Sequence, residues 1–463
     1  MTSELNGHAV QSQAARRRLE HHEADVVIVG AGILGCALAV ALGRQGRSVI
    51  LLEASMKEPD RIVGELLQPG GVQALEKLGL LECLEDIDAI LSVSIIPGRL
   101  PPSLSPGGRA FHHGRFVMKL RQAALACPNV TVVETKATGL VTSTQSPQVL
   151  GVECVTKDLK DCYFAQQTVI ADGYDSKFRK GHHQHTPKRR SKFYGLEMID
   201  APLPSPCYGH VLLSESPPVL MYQIGTHETR ILIDIPDNFP PASVKNGGVK
   251  GYLRNTILPS LPKDVQPSFL AALEKDKLRS MPNSFLPAST NKTPGLIILG
   301  DALNMRHPLT GGGMTVALND VCFIRDLLSP EVVPSFEDTE LVLKQLSRFH
   351  WLRKKSSTVI NILAQALYML FAADDVNLRA LQRGCFRYFQ IGPVDQPVLM
   401  LAGLLKQPLV LVTHFFTVAF LSIWVLFRET PVTQLLLFPF KSIMVFWTAC
   451  VVIVPYILAE LFC

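Results

Sequence analysis

The sequence predicts an α/β protein with a parallel-sheet first domain that is discontinuous in sequence, an inserted antiparallel sheet and a C-terminal helical region that associates with a membrane. Three observations predict this architecture. A glycine-rich turn follows an apolar strand near residue 30 and leads into an Ala/Leu-rich helix. Segments with β-propensity occupy much of residues 192–275. Two long stretches near the end of the chain carry no Asp, Glu, Lys or Arg.

The composition is that of a chain with large hydrophobic cores. It has 463 residues, of which 47% are hydrophobic and only 18% charged, so it is neither a disulfide-stapled miniprotein nor a long disordered chain. A net charge of +5 does not require nucleic acid, and we expect no such partner. The ten cysteines include no C-x-x-C pair, which predicts reduced thiols. The histidine clusters lack the spacing of a metal site, so we expect no metal.

The start of the chain predicts a βαβ unit. Residues 1–22 are polar and are predicted to form a disordered lead. Val26-Val27-Ile28-Val29 is a continuous apolar run, as in a parallel strand that helices cover on both faces. Residues 33–43 then predict a helix, and residues 48–52 predict a second buried strand. This order is typical of the beginning of a Rossmann-like domain.

The turn after the first strand has the pattern Gly30-x-Gly32-x-x-Gly35, and Glu53 ends the second strand about 20 residues later. The glycines permit a tight turn and let a pyrophosphate approach the start of the helix. The Glu53 carboxylate can accept hydrogen bonds from ribose hydroxyls. This pattern predicts an adenine dinucleotide and by itself leaves FAD and NAD open.

The middle of the chain is rich in segments with β-propensity. The strand-like runs 219–224 and 229–234 belong to the inserted sheet, whereas Leu296-Ile297-Ile298-Leu299 returns to the buried-strand pattern of the first domain. The predicted boundaries are 1–22 for the lead, 23–190 and 276–345 for the first domain, 191–275 for the inserted sheet and 346–463 for the helical region.

The charge-free stretches cover residues 408–427 and 442–459, which meet or approach the roughly 20 apolar residues that cross a bilayer. Trp424 and Trp447 lie near the charged connection between them, as interfacial tryptophans do. The stretches predict membrane association, and a pair of buried core helices is the alternative. The pattern fits both a spanning pair and a hairpin that only dips into the bilayer.

Two further motifs extend the dinucleotide pattern. Val169-Ile170-Ala171-Asp172-Gly173 follows a strand, and Gly300-Asp301-Ala302 leads into Pro308-Leu309-Thr310-Gly311-Gly312-Gly313-Met314. With the first glycine turn they resemble, in chain order, the three fingerprints of flavoprotein monooxygenases of the aromatic-hydroxylase type. The resemblance implies FAD, with Asp301 at the flavin ribitol and the glycine run beside the isoalloxazine. A carboxylate can hold a polyol hydroxyl, and consecutive glycines leave room for a flat ring.

Four segments narrow the resemblance. Residues 61–71 (RIVGELLQPGG), 111–116 (FHHGRF), 278–282 (LRSMP) and 305–314 (MRHPLTGGGM) closely resemble the squalene monooxygenase (squalene epoxidase) family. The likeness runs from about residue 24 to the end of the chain and includes both apolar stretches. It implies an enzyme of sterol biosynthesis in the endoplasmic-reticulum membrane, with a catalytic domain that faces the cytosol.

The site residues follow from the motifs and the resemblance together. The predicted cofactor-binding residues are Gly30, Gly32, Ile33, Leu34, Gly35, Glu53, Ala54, Arg61, Leu66, Arg115, Asp172, Asp301, Gly312, Gly313 and Met314. The predicted substrate-binding residues are Tyr222, Pro308, Leu309, Phe371, Phe386, Phe389 and His414. For Arg61 and Arg115 the alternative is an ordinary surface or salt-bridged arginine, and for the substrate set it is packing in the core or against lipid.

The implied reaction is epoxidation of squalene by O₂ at its terminal double bond to 2,3-oxidosqualene, with a flavin 4a-hydroperoxide as the oxygen donor. No protein residue is needed as a nucleophile or acid–base catalyst. Since no second dinucleotide fingerprint is visible, the implied electron donor is an NADPH-dependent diflavin reductase. Two alternatives stay open: another membrane flavin hydroxylase, such as one of a ubiquinone pathway, and a flavin-fold protein with a non-catalytic membrane role.

One segment departs from the family. The family usually carries a longer, tyrosine-bearing segment between Asp88 and Gly108, whereas residues 89–106 contain four prolines and no tyrosine. Proline removes a strand hydrogen-bond donor. We therefore expect a disordered loop or a product of mis-spliced gene prediction, FAD binding through the intact fingerprints, and reduced epoxidation because one pocket wall is missing. A catalytically impaired member of the family is thus a further alternative.

Overall fold

The computed structural model describes residues 22–92, 107–212, 217–275 and 277–462. The predicted lead up to residue 21 and residues 93–106 of the proline-rich segment lie outside these ranges. The strands are β1 (Glu23–Val29), β2 (Val49–Glu53), β3 (Leu66–Leu67), β4 (Ile90–Ser92), β5 (Gly108–Ala110), β6 (Val130–Glu134), β7 (Lys136–Thr142), β8 (Val149–Thr156), β9 (Leu159–Ile170), β10 (Lys188–Ile199), β11 (His210–Leu212), β12 (Val219–Gln223), β13 (Glu228–Pro236), β14 (Arg279–Phe285) and β15 (Leu296–Ile298). The helices are α1 (Ile33–Arg44), α2 (Pro69–Lys77), α3 (His113–Leu125), α4 (Gly248–Tyr252), α5 (Leu258–Ser260), α6 (Gln266–Glu274), α7 (Gly313–Leu327), α8 (Thr339–Phe371), α9 (Val376–Ile391), α10 (Asp395–Leu401), α11 (Pro408–Glu429) and α12 (Phe438–Phe462).

The first sheet has the glycine turn at its centre. Its parallel strands lie in the order β6-β2-β1-β9-β15, and β8 and β7 continue from the first half of β9 as antiparallel strands. Val26 to Val29 of β1 are apolar and lie buried in the core of the first domain. β15 pairs Leu296 with Thr168 and Ile298 with Ile170. The chain therefore returns to the first sheet after the insertion, and the predicted discontinuous α/β fold is confirmed.

The second sheet is antiparallel, in the order β11-β12-β13-β10-β14. It begins at Lys188 and ends at Phe285, so it extends beyond the predicted range of 191–275 at both ends. One face packs on α4, α6 and the chain between them, through side chains such as Ile231 and Phe269. The other face carries Leu220 and Leu232, which belong to a core shared with the C-terminal helices. Both faces are thus covered, one by local helices and one by the end of the chain.

A small three-stranded sheet, β3-β5-β4, lies beside the first domain. β4 pairs Ile90 with Ala110 and Ser92 with Gly108. Residues 90–92 therefore form a strand, and the expectation of a loop throughout residues 89–106 was wrong for this part. The physical reason is that the prolines begin only at Pro97, so the first residues of the segment keep their hydrogen-bond donors.

The C-terminal region is helical and packs on the second sheet. Pro408–Glu429 and Val432–Glu460 are each long and apolar enough to cross a membrane, and about a quarter of each (28%) is buried inside the protein. Val445, Ala449 and Ile453 of α12 lie in the core that contains Leu220 and Leu232. The side chains of Leu409, Phe420, Leu436 and Trp447 are exposed. The protein is therefore membrane-associated through helices that bury one face in the core and present an apolar face outward.

Candidate functional site

A cavity of about 580 Å³ lies between the two sheets. One end lies at the carboxyl ends of β1, β2 and β9, where ligands bind in open parallel sheets. The other end is walled by apolar residues of the second sheet. We call these two parts the dinucleotide end and the apolar end.

The three glycines of the first turn serve different purposes. Gly30 has φ +105°, and a Cβ on it would lie 2.5 Å from the carbonyl oxygen of Ala171. A Cβ on Gly35 would overlap the carbonyl oxygen of Gly30, so this glycine lets α1 pack against the turn. A Cβ on Gly32 would have no atom within 4 Å. Gly32 therefore leaves open space at the start of α1, where a pyrophosphate can meet backbone N–H groups.

Glu53 ends β2 and lines the cavity. Its Oε2 accepts a hydrogen bond of 2.8 Å from the backbone N–H of Ala31, and its Oε1 accepts one of 3.1 Å from the N–H of Ser55. Each carboxylate oxygen has a second lone pair. Glu53 thus fixes the glycine turn and keeps acceptor capacity for ribose hydroxyls.

The arginine that reaches the cavity from α3 is Arg121. Its Nε donates to the carbonyl oxygen of Ala31 at 2.9 Å, its Nη1 donates to that of Lys57 at 2.9 Å, and its Nη2 lies 3.4 Å from Oε2 of Glu53. Arg115, the predicted residue, does not line the cavity; its Nη1 lies 3.8 Å from Asp88 Oδ2. The structure therefore places Arg121, and not the predicted Arg115, at the cavity.

Helical spacing explains this difference. His113, Val117 and Arg121 all line the cavity and are four residues apart, so they share one face of α3, whereas Arg115 lies on another. This spacing was readable in the sequence once His113 was placed at the cavity. Arg61 does line the cavity, with its guanidinium carbon 5.9 Å from the centre of the Tyr174 ring.

The second and third fingerprints meet at the same cavity. Asp172 lines it, and burial raises the pKa of this carboxyl group. Asp301 also lines it, directly after Gly300, which has φ +63°. Both aspartates follow strands that end at this edge, since β9 and β15 are parallel neighbours.

The glycine run divides between two surroundings. Gly311, with φ +62°, and Gly313 line the cavity, and a Cβ on Gly313 would have its nearest neighbour 3.7 Å away, at Arg306 Nη1. A Cβ on Gly312 would overlap Ile360 of α8, so Gly312 allows close packing of α8 and does not line the cavity. Met314 lines the cavity in the first turn of α7.

The dinucleotide end fits the FAD expected from the fingerprints. At Gly32 the space that a side chain would occupy is open, and at Gly313 its nearest neighbour would be 3.7 Å away, so a bound ligand can approach both glycines. The N-termini of α1 and α7 both face this end, where partial positive charge favours a pyrophosphate. Glu53 and Asp301 supply acceptors for ribose and ribitol hydroxyls. The remaining predicted lining residues here are Ile33, Leu34, Ala54 and Leu66, while Gly35 lies behind the turn.

The apolar end is walled by Leu220, Leu232, Met281 and Leu309. Its polar groups are paired with one another. Glu65 accepts hydrogen bonds from Arg230 through both oxygens, at 2.8 Å and 3.0 Å, and from the Tyr222 hydroxyl at 3.2 Å. Because these groups satisfy one another, this end presents apolar surface to a ligand.

Burial affects the titration of this group of residues. It raises the pKa of the Glu65 carboxyl, and the adjacent Arg230 guanidinium opposes that rise. Burial also raises the pKa of Tyr222 well above its usual value, so the phenol stays protonated. Tyr222 therefore remains a hydrogen-bond donor to Glu65.

The predicted substrate residues separate into two groups. Tyr222, Pro308 and Leu309 line the cavity. The others lie among α8, α9 and α11, away from its lining: Phe371 and Phe386 stack at 6.3 Å, Phe389 packs against the shared core, and His414 lies 2.7 Å from Gln396. For these four residues the geometry matches the packing alternative.

The cavity also includes lining residues that were not predicted. They include Glu65, Arg121, Leu220, Leu232, Met281, Met305 and Arg306. Met281 belongs to the LRSMP segment and Arg306 to the MRHPLTGGGM segment, so their motifs were visible even though their side chains had not been assigned. Leu220 and Tyr222 alternate along β12 and share a face of the strand, which is a signal that could have found Leu220.

Comparisons with known proteins identify related sequences. The family model described as squalene epoxidase matches residues 164–438. A squalene epoxidase of Aspergillus fumigatus is 68% identical over the full length of both chains. The squalene epoxidase of Schizosaccharomyces pombe is 42% identical over 95% of this chain and 99% of its own. Mouse squalene monooxygenase is 42% identical over 94% of this chain and 78% of its own.

Solved structures show the same fold at low identity. PqsL of Pseudomonas aeruginosa, in complex with 2-aminobenzoylacetate, is similar with a TM-score of 0.63 at 20% identity, over 76% of this chain and 97% of that one. The flavin-dependent brominase Bmp2 is similar with a TM-score of 0.63 at 13% identity, over 84% of this chain and 98% of that one.

Proposed function

Because this chain belongs to the squalene epoxidase family, we propose that it is an FAD-dependent monooxygenase that epoxidises squalene with O₂ to 2,3-oxidosqualene in sterol biosynthesis. The observation that carries this proposal is the single cavity that joins the dinucleotide end to the apolar end. A cofactor with phosphates and hydroxyls suits the first end, and a hydrocarbon without a polar group suits the second. No relative reported above is a ubiquinone-pathway hydroxylase.

At the dinucleotide end, Gly32 and the start of α1 would hold the pyrophosphate, Glu53 the ribose and Asp301 the ribitol. Arg121 positions these groups, since it ties the glycine turn to Glu53 and to residue 57. Gly311, Gly313 and Met314 would lie against the flavin ring. When bound and reduced, FAD supplies the activation of O₂.

At the apolar end, the chain binds and orients the alkene. Apolar contacts come from Leu220, Leu232, Met281 and Leu309. They hold the terminal double bond in place, so less translational and rotational entropy is lost when the alkene reacts. The paired Glu65, Tyr222 and Arg230 expose little unsatisfied polar surface that would attract water. Exclusion of water protects the reactive oxygen species from wasteful decay.

Electron supply and location complete the proposal. An NADPH-dependent diflavin reductase would provide electrons, which is supported by the presence of one glycine-rich dinucleotide turn in the sequence and no second one. The enzyme would reside in the endoplasmic-reticulum membrane with its cavity domain in the cytosol. Support for a membrane site comes from α11 and α12, whose apolar faces are exposed.

The full chain in detergent, supplied with FAD, a diflavin reductase, NADPH and dispersed squalene, is expected to form 2,3-oxidosqualene, detected by mass spectrometry. The control is Asp301→Ala, which removes a charge-assisted hydrogen bond that contributes about 1.5–3 kcal/mol, so less flavin absorbance should co-purify. Absence of oxidosqualene from a chain with a full flavin complement would contradict the proposed reaction. A full flavin complement in Asp301→Ala would contradict the role of Asp301.

Slow formation of oxidosqualene would instead support the alternative that the chain is a catalytically impaired member of the family. Grafting a family-like, tyrosine-bearing segment between Asp88 and Gly108 tests it: faster epoxidation than the original chain is expected if a pocket wall is missing. Equal rates would show that this wall is dispensable. Sequencing the native transcript tests whether residues 89–106 are encoded as written.

A further inference from the structure

Glu460 is a buried carboxylate near the end of an apolar helix. It lies in the last turns of α12 with only 4% of its surface exposed. Its Oε1 accepts a hydrogen bond of 2.7 Å from Asn361 Nδ2, and its Oε2 accepts one of 3.2 Å from Thr358 Oγ1. Both partners belong to α8, and Lys354 Nζ of the same helix donates to the backbone oxygen of Glu460. An ionisable side chain held in this way within an apolar segment calls for a functional explanation.

The hydrogen bonds continue from α8 toward the cavity. Asn361 Nδ2 also lies 3.2 Å from Asn304 Oδ1. The same oxygen accepts hydrogen bonds from Arg353 Nη2 at 2.9 Å and from Arg306 Nη2 at 2.5 Å. The Asn304 amide nitrogen donates to the carbonyl oxygen of Leu286 at 2.7 Å, which fixes the orientation of the amide. Three donors therefore converge on one oxygen, and one of them lines the cavity.

Of the residues that donate to Asn304, Arg306 is the one that reaches the dinucleotide end of the cavity. It lines the cavity and is buried, and its Nη1 lies 3.5 Å from the carbonyl oxygen of Gly313. Gly313 begins α7 and lines the cavity beside Met314. A displacement of Arg306 would therefore change the wall where the third fingerprint meets the ligand.

The charges of the set depend on Glu460. Two buried arginines belong to this set: Arg353 Nε lies 2.8 Å from Asp320 Oδ2, and Arg306 interacts electrostatically with Asp320 and Glu460. Burial and the neighbouring Arg353 lower the pKa of Arg306 to about 10, whereas Asp301, Asp320 and Glu460 oppose this change. Without the Glu460 charge, Arg306 would lose one of the three carboxylates that oppose the lowering of its pKa.

We propose that Glu460 is a positioning residue of the cofactor site, which holds Asn361 and Asn304 so that Arg306 stays directed at the Gly313 edge of the cavity. The proposal rests on FAD binding in that cavity. The packing of α12 against α8 and the affinity for FAD are then coupled through one chain of hydrogen bonds.

The test compares two identical substitutions in the full chain in detergent. Glu460→Gln removes the buried charge, and Glu429→Gln is the matched control, since Glu429 lies in the same pair of helices but is 53% exposed and faces Arg383 at 3.4 Å. Binding of FAD to the apoprotein, followed by flavin fluorescence quenching, is expected to weaken about tenfold in E460Q, as substitutions within coupled networks do. Glu429→Gln should match the wild type.

Two further readouts separate positioning from mere destabilisation. The absorbance spectrum of the bound flavin should shift in E460Q, and the double variant with Asn361→Leu should bind FAD no more weakly than the weaker single variant. Wild-type affinity with an unshifted spectrum in E460Q, or additive losses in the double variant, would overturn the proposal. If E460Q fails to fold, Asn361→Leu alone carries the same test, and wild-type affinity there overturns it as well. A wild-type chain that binds no FAD would instead overturn the proposed function.

Discussion

The two ends of the cavity are built from different kinds of sequence. At the dinucleotide end, most walls come from short motifs: the turn after β1, Glu53 at the end of β2, Asp172 after β9 and Asp301 after β15. At the apolar end, Leu220, Leu232 and Met281 each come from a different strand of the second sheet. A ligand with phosphates and hydroxyls demands special backbone turns and carboxylates, whereas a hydrocarbon demands only apolar surface. Motif analysis therefore locates the first kind of site far better than the second.

Deletion of residues 408–463 is expected to have the largest effect, because it removes helices that pack against the second sheet. It tests whether the apolar end of the cavity forms without them. The truncated chain should leave a carbonate-washed membrane pellet but aggregate in gel filtration. It loses α12 residues that pack in the shared core, such as Val445 and Ile453, and each large apolar side chain contributes about 1.5–3 kcal/mol against a total stability of about 5–15 kcal/mol.

The control for this deletion is Trp447→Ser, an exposed position that should weaken membrane binding while the fold is kept. A monodisperse truncated protein with a full flavin complement would show that neither end of the cavity depends on the tail. Retention of the truncated chain in the pellet would place the anchor elsewhere.

The paired variants Arg121→Met and Arg115→Met test which arginine of α3 supports the dinucleotide end. Arg121→Met leaves the Ala31 carbonyl without its donor and should weaken FAD binding by about 1.5–3 kcal/mol, or roughly 10- to 150-fold. Arg115→Met should keep the wild-type affinity, since its guanidinium faces Asp88. Flavin absorbance after gel filtration measures both. The reverse order of the two variants would restore the original assignment of Arg115.

Two alanine substitutions in the same turn separate folding from binding. Gly35→Ala places a Cβ against the Gly30 carbonyl and should destabilise the apoprotein by about 1–3 kcal/mol, seen as a lower Tm. Gly32→Ala meets open space, so the Tm of the apoprotein should hold while FAD affinity falls. An unchanged FAD affinity in Gly32→Ala would mean that the ligand does not approach α1 as proposed.

The smallest effect is expected from Tyr222→Phe at the apolar end. It keeps the apolar ring and removes one hydrogen bond to Glu65, which contributes about 0.5–1.5 kcal/mol. The Tm should fall slightly and the co-purifying flavin should stay at the wild-type level. A strong loss of flavin would show that the two ends of the cavity are coupled more tightly than their separate walls suggest.

Much of the first domain was predictable because its signals are local. The apolar run of β1, the glycine turn and Glu53 occur within about 30 residues, the span of one βαβ unit. The limits of the second sheet were missed for a physical reason: β10 begins in the basic run from Lys188, and β14 contains Pro282. β14 is an edge strand, where a proline is tolerated, so its sequence does not resemble that of a central strand.

The tertiary contacts of single residues could not be predicted. Arg115 and Arg121 are both arginines of one helix, and only the position of that helix decides which of them faces the cavity. The apolar tail was visible from composition, but its composition does not tell which face of α12 packs on the core. Glu460 was a lone acidic residue in an apolar stretch, and its partners on α8 are about 100 residues away in sequence.

The small sheet beside the first domain has a consequence for how the protein can diversify. Because β4 and β5 pair, Ser92 and Gly108 are held side by side at the two ends of residues 93–107. They lie close to β3 and its cavity-lining residue Leu66. The entropic cost of closing a loop rises by only about 0.6 kcal/mol for each doubling of its length. A change of length between these strands therefore costs little and leaves the pairing within both large sheets unchanged. The glycine turn has no such freedom, because Gly30 and Gly35 are each in close contact with backbone carbonyl groups.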